Sequence, residues 1–471
     1  MKKIRKICCI GAGYVGGPTM AVIADKCPHL EINVVDINKN RIKAWNDNDL
    51  SKLPIFEPGL EEIIKKRRNQ NLFFSTQVEN QIKNADMIFI SVNTPTKTHG
   101  IGAGFASDLR WIESCARQIA KYAEGHTIIV EKSTLPVRTA EKIKSILDLS
   151  LKGNKQKNSN PQFSVLSNPE FLAEGTAIDD LINPDRILIG GDDIEAIKLL
   201  EEIYSNWIDK NKILKTNIWS SELSKLIANA FLAQRISSIN SVSALCEKTG
   251  ANVNEVSRAI GMDSRIGNKF LNAGPGFGGS CFKKDILNLI YICEFYGLKE
   301  VAKYWESVLD INYWQQNRIS SLVIDKLFGT ITGKKISIFG FAFKSNTNDT
   351  RESPAINICK NFLNEGCELL IYDPKVNEKE IASKLGKNEK NVDPNIGNWH
   401  KSNTIKDSVK NADAIVVLTE WEEFKKIKWD QISELMRKPA WVFDTRNICK
   451  KQGIEKSDIN FWQIGISDEE S

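Results

Sequence analysis

The chain has 471 residues, of which 41% are hydrophobic and 26% are charged, and its formal net charge at pH 7 is +5. This composition is typical of a globular protein of roughly three domains, and the small net charge argues against a nucleic-acid-binding protein. The ten cysteines form no CxxC pairs and the four histidines are scattered, so we expect no metal site, no membrane partner and a reducing, cytoplasmic compartment.

The first predicted elements are a strand at residues 4–10, a helical stretch to about Lys26 and a strand at Glu31–Val35. A signal peptide is a poor alternative, because glycines and Pro18 interrupt the uncharged run. The first turn carries a G-x-G-x-x-G motif, and Asp36 follows its last glycine by twenty residues. Such glycines admit a pyrophosphate and the carboxylate binds ribose hydroxyls, which favours NAD, although nearby Arg41 leaves NADP open. The predicted loop contacts are Gly11, Ala12, Gly13, Tyr14, Val15 and Gly16.

Two further strands, at residues 85–92 and 127–130, alternate with helical stretches as a parallel sheet requires. Both end in polar loops, and ligands of open α/β folds bind at this carboxyl edge. Thr134 is either a simple turn residue or a residue that handles water or substrate. The predicted cofactor contacts in these loops are Val92, Asn93, Thr94, Pro95, Thr96, Ser133, Thr134 and Leu135.

A polar stretch at residues 152–161 is predicted to be a surface loop, and residues 164–166 are predicted to form a strand. Pro169 suits a first helical position, so we expect a helix with Glu170 and Glu174 one turn apart. Two acids on a helix usually indicate a solvated face. The adjacent apolar residues directly after a strand favour a site that comprises Glu170, Phe171, Leu172, Ala173 and Glu174.

From Lys212 to Gly329 the pattern is almost entirely helical. One long helix is predicted at residues 220–248, closed by Gly250, and another at residues 301–328. Lys225 and Asn229 are four residues apart on the first of these helices. A lysine on a helix is most often exposed to solvent.

The most distinctive stretch is Gly274-Pro275-Gly276-Phe277-Gly278-Gly279-Ser280-Cys281. Its glycines allow the backbone to approach a ligand closely. A helix is predicted at residues 282–292, so Cys281 should lie at a helix N-terminus, where the macrodipole favours a thiolate. Asp285 follows one turn later, within reach for proton transfer. This layout predicts covalent catalysis, and the alternative is a buried structural cysteine.

A second α/β domain is predicted from Gly333, with strands at residues 335–339, 368–372 and 412–418 and a helix after Ser353-Pro354. The loop at residues 340–344 replaces the dinucleotide glycines, so we expect a different nucleotide there. Phe343, Lys344 and Arg446 are the candidate contacts, although surface cations are often only solvated. Residues 377–411 are predicted to be loop-rich.

The predicted fold class is α/β, with two Rossmann-like, doubly wound parallel-sheet domains joined by a central helical region that contains a long helix. The expected domains are an NAD-binding domain at residues 1–211, a central helical and dimerisation region at 212–330, and a sugar-nucleotide-binding domain at 331–471.

Several of these motifs occur together, in order, in one known family. They lie at residues 11–16, 93–96, 131–134, 168–175, 220–240, 260–270, 276–285 and 340–351. On these motifs the chain resembles the UDP-glucose 6-dehydrogenases, a nucleotide-sugar dehydrogenase family, and is most similar to the animal type. The resemblance extends over nearly the whole chain and is far more specific than a shared fold.

The resemblance implies a two-step oxidation of UDP-glucose to UDP-glucuronate with two NAD and one water. By position, Cys281 would form a thiohemiacetal and then a thioester. Lys225 and Asn229 would stabilise the oxyanion, Asp285 with Thr134 would position water and take protons, and Glu170 would assist thioester hydrolysis. Glu174 and Arg351 would contact NAD. The remaining substrate contacts implied are Arg265, Asn272, Phe277 and Gly278.

The resemblance also implies a homo-oligomer, with a hexamer built as a trimer of dimers favoured over a dimer, because Arg265 would cross a subunit interface. At Asn272 and residues 273–275 the chain is closer to bacterial members than to animal ones. Two alternatives stay open: a sister enzyme acting on GDP-mannose or a UDP-N-acetylhexosamine, and a catalytically dead nucleotide-sugar binding protein. The dead protein would be expected to lose Cys281, Lys225 or Asp285, and all three are present.

Overall fold

The computed structural model describes residues 3–133, 136–153, 161–387 and 396–467. The chain divides into two units. The first comprises Met1–Ala228 and Leu287–Tyr296, and the second comprises Asn229–Ile286 and Gly297–Ser471. Within the described ranges, no helix has the length and apolar character needed to cross a bilayer.

The first unit is built on eight strands: β1 (Lys6–Ile10), β2 (Glu31–Val35), β3 (Leu72–Ser75), β4 (Met87–Ile90), β5 (His126–Glu131), β6 (Gln162–Ser167), β7 (Ile187–Gly190) and β8 (Ile213–Thr216). They form one sheet in the order β3-β2-β1-β4-β5-β6-β7-β8. All neighbours are parallel except β6 and β7. The strand order reverses between β1 and β4, which places a ligand crevice at the carboxyl ends of these strands.

Helices cover both faces of this sheet, so its central strands are largely apolar, and β4 is apolar and buried at every position. Ile7 and Cys9 pack in one core, and Cys8 and Ile10 pack in the other. The helices are α1 (Gly16–Lys26), α2 (Lys39–Trp45), α3 (Leu60–Arg67), α4 (Val78–Asn84), α5 (Arg110–Tyr122), α6 (Thr139–Gly153), α7 (Ala177–Ile182) and α8 (Ile194–Tyr204).

Four helices follow: α9 (Ile218–Thr249), α10 (Val253–Gly261), α11 (Phe282–Phe295) and α12 (Lys299–Lys326). Helices α9 and α11 each contribute residues to both units. Gly250, with a φ of 75°, ends α9 in the left-handed conformation that favours glycine. The two predicted long helices are therefore confirmed, with ends shifted by one or two residues.

The second unit contains a six-stranded sheet built from β9 (Lys335–Phe339), β10 (Glu368–Tyr372), β11 (Asn398–Lys401), β12 (Ala414–Val417), β13 (Ala440–Asp444) and β14 (Ile459–Gln463). Its order is β11-β10-β9-β12-β13-β14, and every pairing is parallel. The helices are α13 (Pro354–Asn364), α14 (Glu378–Leu385), α15 (Ile405–Val409), α16 (Trp429–Ser433) and α17 (Lys451–Glu455). The reversal between β9 and β12 repeats the topology of the first sheet, which confirms the predicted fold class.

Four secondary-structure predictions differ from the structure, one of them at Pro169 in the candidate site. Residues 377–411, predicted to be loop-rich, contain α14, β11 and α15, and β8 lies within the range predicted to be almost entirely helical. Both missed strands are sheet edges, where one-sided burial weakens the apolar pattern. Helix α6 extends into the loop predicted at residues 152–161, of which 154–160 lie outside the described residues. The division at residues 211 and 330 stays a prediction.

Candidate active site

The loop between β1 and α1 is shaped by its glycines. A Cβ at Gly11, where φ is 112°, would lie 2.2 Å from the carbonyl oxygen of Ser91, and one at Gly16 would lie 2.0 Å from that of Gly11. These two glycines are therefore required by the packing of the protein itself. A Cβ at Gly13 would meet no atom within 4 Å. The open space beside Gly13 at the N-terminal end of α1 fits a dinucleotide pyrophosphate.

Asp36 is held at the end of β2 by several donors. Its carboxylate accepts hydrogen bonds from the backbone N–H of Ala12 at 3.0 Å and of Asn38 at 2.9 Å. The guanidinium of Arg41 lies 2.9 Å from the same carboxylate. Trp45, which sequence reasoning missed, donates its indole N–H to the carbonyl of Ala12 at 3.0 Å. The acidic group is thus fixed beside the glycine loop, as NAD binding requires.

The loops after β4 and β5 are tied to each other. The hydroxyl of Ser133 donates to the carbonyl of Val92 at 2.9 Å, and Thr94 is buried. Further along, the carbonyl of Pro95 accepts from the backbone N–H of Asp108 at 2.7 Å, and Thr96 pairs with Ser107 in an isolated β-bridge. Asn93 is exposed. The other two predicted residues of these loops, Thr134 and Leu135, lie outside the described residues.

We expect Gly13→Ala to separate NAD binding from stability. The added methyl group points into open space and the backbone at this residue is not left-handed, so the midpoint of thermal unfolding should stay within about 2 °C of the parent. The methyl group should block the pyrophosphate and weaken NAD binding about tenfold or more, or ~1.4 kcal/mol. Fluorescence titration and a melting curve of the same sample test this expectation. Unchanged NAD affinity would place the pyrophosphate elsewhere.

The helix predicted from Pro169 is absent, because α7 begins only at Ala177. The backbone N–H groups here donate to carboxylates instead of to helical carbonyls. Glu170 accepts from Phe171 and Leu172 at 2.9 and 3.2 Å, Glu57 accepts from Gly175 and Ala177 at 2.8 and 3.0 Å, and Asp180 accepts from Ala173 at 2.8 Å. Glu170 and Glu174 therefore do not share a helix face.

Phe171 lies beside two cations in the first unit. The guanidinium carbon of Arg186 is 3.9 Å from the centre of its ring, and the ammonium of Lys225 is 5.2 Å away. Both separations are within the range of cation–π attraction. Lys225 is only 7% exposed, so the ordinary expectation of a solvated helix lysine does not hold. Ala173 is exposed, and Leu172 and Glu174 are partly buried.

A pair of buried carboxyl groups near this segment was not predicted. Burial raises the pKa of Glu131 well above its usual range, and the neighbouring Glu222 raises it further. Glu222 itself accepts from the backbone N–H of Arg138 at 2.6 Å and of Ala140 at 2.8 Å, at the start of α6. Burial raises the pKa of Glu222 to about 7 despite these donors. Burial therefore favours the protonated form of Glu131, although the nearby Lys132 opposes this shift in its pKa.

The glycine-rich loop of the second unit is held by amide side chains from α9 and α12. Asn240 accepts from the backbone N–H of Gly274 at 2.8 Å, and Gln315 donates to the carbonyl of Gly274 at 3.0 Å. Asn312 accepts from the N–H of Phe277 at 2.7 Å and donates to its carbonyl at 3.2 Å. A Cβ at Gly278 would lie 2.5 Å from the carbonyl oxygen of Glu352. These contacts fix the backbone conformation of the loop that leads to Cys281.

Cys281 lies directly before α11, and its carbonyl accepts the first helical hydrogen bond, from Asp285 at 2.8 Å. All ten cysteines are in the described residues and unpaired, and Cys281 alone is exposed. Its sulfur lies 3.4 Å from the hydroxyl oxygen of Ser280. The amide of Asn229 donates to the buried carboxylate of Asp285 at 2.6 Å. The second unit thus brings a thiol to a helix N-terminus, one turn before an oriented acid.

The second sheet reuses the dinucleotide-loop geometry with a different sequence. Asp373, after β10, accepts from the N–H of Phe341 at 2.7 Å and of Ala342 at 3.0 Å, as Asp36 does from Ala12. The indole of Trp421 also donates to Asp373, at 3.2 Å. The acid after the second strand of each sheet thus holds the loop after the first strand, while the loop sequences differ. The prediction of a different nucleotide at the second sheet rests on that loop sequence.

Arg446 is not a solvated surface cation. Its guanidinium donates to the carbonyls of Leu418 at 2.8 Å and Phe343 at 3.3 Å and pairs with Glu420 at 3.3 Å. Burial alone would raise the pKa of Glu420, but Arg446 and a hydrogen bond from Ser345 lower it. Lys344 is partly buried, with its ammonium 5.6 Å from the ring of Phe343. Arg446 therefore links the loops that follow β9 and β12.

Three other predicted residues lie on the surface. Arg265 is 87% exposed in its side chain and pairs with Asp263 at 2.6 Å, and Asn272 is exposed. Arg351 forms a short ion pair with Asp349, also at 2.6 Å, while its carbonyl accepts from Gly279 at 2.8 Å. Arg351 is thus fixed next to the glycine-rich loop.

Comparison with known proteins gives one consistent family. Models of the UDP-glucose/GDP-mannose dehydrogenase family match the chain: the NAD binding domain at residues 5–208, the central domain at 219–314 and the UDP binding domain at 337–451. The chain is similar to UDP-glucose 6-dehydrogenase of Gallus gallus, with 55% identity over 466 residues that cover 98% of this chain and 92% of the relative.

A plant relative and a solved structure agree. UDP-glucose 6-dehydrogenase 4 of Arabidopsis thaliana is 53% identical over 474 residues, covering 98% of this chain and 97% of the relative. The structure of a UDP-glucose dehydrogenase from the archaeon Pyrobaculum islandicum has a TM-score of 0.83 at 27% identity, covering 98% of each chain. The similarity therefore holds across the whole chain in sequence and in fold.

Proposed function

This chain belongs to the UDP-glucose/GDP-mannose dehydrogenase family, and on that premise we propose that it oxidises UDP-glucose to UDP-glucuronate. One exposed thiol, at the N-terminus of a helix and one turn before a buried carboxylate, is the observation that carries the proposal. Relatives more than 50% identical bear the name UDP-glucose 6-dehydrogenase, which favours this substrate over those of the sister enzymes.

The reaction balances with two NAD and one water. When bound, NAD accepts a hydride from C6 in each of two oxidations, and a proton is released each time. The first oxidation converts the alcohol to an aldehyde, and the second converts a thiohemiacetal to a thioester. Water then splits the thioester, which returns the thiol and gives a carboxylate and a third proton. The glycine loop of the first unit and Asp36 hold the cofactor.

Cys281 supplies the covalent step. Its thiolate adds to the C6 aldehyde, forming a carbon–sulfur bond and an alkoxide that takes a proton. The C–S bond holds C6 as a tetrahedral carbon that still carries the hydrogen for the second hydride transfer. It breaks when water attacks the resulting thioester. The aligned N–H groups at the start of α11 stabilise the thiolate before attack and after release.

Five other residues act around C6. The Lys225 ammonium and the Asn229 amide stabilise the oxyanion that forms when sulfur or water adds to the carbon. Asp285, with Thr134, accepts protons and orients water. Glu170 assists the attack of water on the thioester.

The remaining predicted residues bind NAD and the sugar nucleotide away from C6. Glu174 and Arg351 contact NAD. The loop after β9, with Phe343 and Lys344, and Arg446 after β13 hold the UDP group, while Phe277 and Gly278 line the path of the sugar. Support comes from the family's UDP binding domain, which matches residues 337–451. Asn272 contacts the substrate, and Arg265 reaches the sugar nucleotide of a neighbouring subunit.

A panel of sugar nucleotides tests the substrate. Purified protein is mixed with NAD and limiting UDP-glucose, GDP-mannose or a UDP-N-acetylhexosamine, and NADH is followed to completion. We expect two NADH per UDP-glucose and a kcat/KM for the other sugars lower by about a hundredfold or more. Faster turnover of another sugar would move the chain to a sister activity. No NADH with any sugar would leave a binding protein.

We also place the enzyme in the cytoplasm as a homo-oligomer, with a hexamer favoured over a dimer. The ten unpaired cysteines support a reducing compartment. On α9 and α12, Phe231, Tyr304 and Trp314 are 56%, 52% and 43% exposed, as expected of a helical face that a second copy covers. Analytical ultracentrifugation tests the state, and a monomer at micromolar concentration would contradict it.

A further inference from the structure

A buried lysine that the sequence analysis left without a role lies beside Glu170. Lys132 follows β5, and its side chain is 2% exposed. Its ammonium lies 2.8 Å from a carboxylate oxygen of Glu170, 3.0 Å from the amide oxygen of Asn168 and 3.2 Å from the hydroxyl of Tyr204. An ammonium has three N–H donors, and each one has a partner here. The direction of the lysine is therefore fixed by three separate groups.

Those partners are fixed in turn. The Tyr204 hydroxyl donates to Asn168 at 2.6 Å, and the Asn168 amide donates to the carbonyl of Leu188 at 2.7 Å. The second carboxylate oxygen of Glu170 accepts from two backbone N–H groups, so both of its oxygens are engaged. The Glu170 side chain is 11% exposed. Burial of an ion pair costs desolvation free energy, so the Lys132–Glu170 pair is weak evidence for a role in stability. Because Glu170 is a predicted catalytic residue, the pair points to a role in function.

We propose that Lys132 is a positioning residue that keeps the Glu170 carboxylate ionised and correctly aimed for hydrolysis of the thioester. This inference rests on the function proposed above for Glu170. Burial alone would lower the pKa of Lys132, but Glu170 and Tyr204 raise it well above the usual range. The lysine therefore stays cationic wherever the enzyme is folded and active. It never touches the reacting carbon and acts only through Glu170.

A double-mutant cycle separates this role from a structural one. Lys132→Met, Glu170→Gln and the double variant are mixed with UDP-glucose and NAD, quenched at set times and examined by intact-protein mass spectrometry. We expect Lys132→Met to slow loss of the UDP-glucuronyl adduct by about tenfold to a hundredfold. The double variant should be no slower than Glu170→Gln, because the lysine has nothing left to position. Multiplied losses, or unchanged hydrolysis in Lys132→Met, would overturn the proposal.

The pH profile gives a second readout. The groups that face Glu170 are Lys132, Tyr204 from α8 and the hydroxyl of Thr19 from α1, at 3.5 Å. The Lys132 ammonium lies 2.8 Å from the Glu170 carboxylate, so its removal takes away a charge that stabilises the carboxylate. Hydrolysis by Lys132→Met should then fall at a higher pH on the acid side than in the parent. Lys132→Arg, which keeps the charge, should restore the parent's acid limb.

Controls keep the outcome decisive. Lys198→Met changes an exposed lysine paired with Glu195 and should match the parent in every step. If Lys132→Met does not fold, Tyr204→Phe removes one partner of the ammonium and should slow hydrolysis about threefold, as expected for one neutral hydrogen bond. An unchanged rate in that variant would count against the proposal. Parent enzyme that forms no NADH or adduct would refute the proposed function instead.

Discussion

Replacement of Cys281 by serine is expected to lower kcat for UDP-glucose oxidation by at least about a thousandfold. A serine hydroxyl is a much weaker nucleophile than a cysteine sulfur, so the variant adds poorly to the aldehyde. Without the carbon–sulfur bond, the aldehyde is not held for the second hydride transfer and no acyl intermediate forms. Steady-state NADH formation at saturating NAD and UDP-glucose measures the loss.

The loss in Cys281→Ser should come without loss of structure, because the side chain is exposed and its sulfur lies next to the hydroxyl of Ser280, a contact that a serine oxygen can also make. The midpoint of thermal unfolding and NAD affinity should match the parent. Cys293→Ala, which changes a buried cysteine on the same helix, should keep its activity. Turnover by Cys281→Ser within tenfold of the parent would exclude a thioester route.

Lys225→Met is expected to lower kcat by about a hundredfold to a thousandfold while KM for UDP-glucose changes little. The ammonium is buried and lies beside the Phe171 ring, so the methionine fills nearly the same volume without its charge. The charge matters most when oxygen at C6 becomes an oxyanion. An interaction formed mainly in the transition state lowers kcat and kcat/KM together when it is lost.

A matched change at another lysine of the first unit provides the comparison for Lys225. Lys215 lies on β8, pairs with Glu201 at 2.7 Å and is 48% exposed. Lys215→Met should retain full activity, since surface ion pairs contribute little. If Lys225→Met raised KM alone, the lysine would bind ground-state substrate and would have no role in oxyanion stabilisation.

The parts of the fold that could be predicted are those determined by residues close together in the sequence. Strands β2, β9 and β10 have the ends expected from the sequence, because each is a short, mostly apolar run bounded by polar or turn-forming residues. The Gly11 loop and the placement of Cys281 before α11 also follow from local conformational preferences. A second α/β domain was expected because its sequence weakly resembles that of the first, whereas its strand order was found only in the structure.

The segment around Glu170 shows why sequence patterns fail. Pro169 and the acids after it are typical of a helix start, so the local sequence by itself favours a helix here. In the folded chain, Glu57 lies far away in sequence and takes the N–H groups of Gly175 and Ala177. Tertiary hydrogen bonds therefore outweigh the local preference.

The supporting residues of the candidate site were also missed. Asn240, Asn312 and Gln315 are polar residues on the buried faces of α9 and α12, and polar residues on a helix are usually expected to be exposed. Their partners are backbone groups of a loop whose path only the folded structure defines. The role of Lys132 was harder to predict, because a lysine after a strand is usually solvated. Its burial depends on three partners from other parts of the chain, Glu170, Asn168 and Tyr204.

The most direct test of the central claim is a chemical one on the parent enzyme. UDP-glucose and NAD are mixed with stoichiometric enzyme, quenched in acid within one turnover, and the protein is digested and mapped by mass spectrometry. We predict a UDP-glucuronyl group on the peptide that contains Cys281, released by hydroxylamine as a thioester should be. Formation of two NADH per sugar with no adduct at any time, or with an adduct on another residue, would contradict the account.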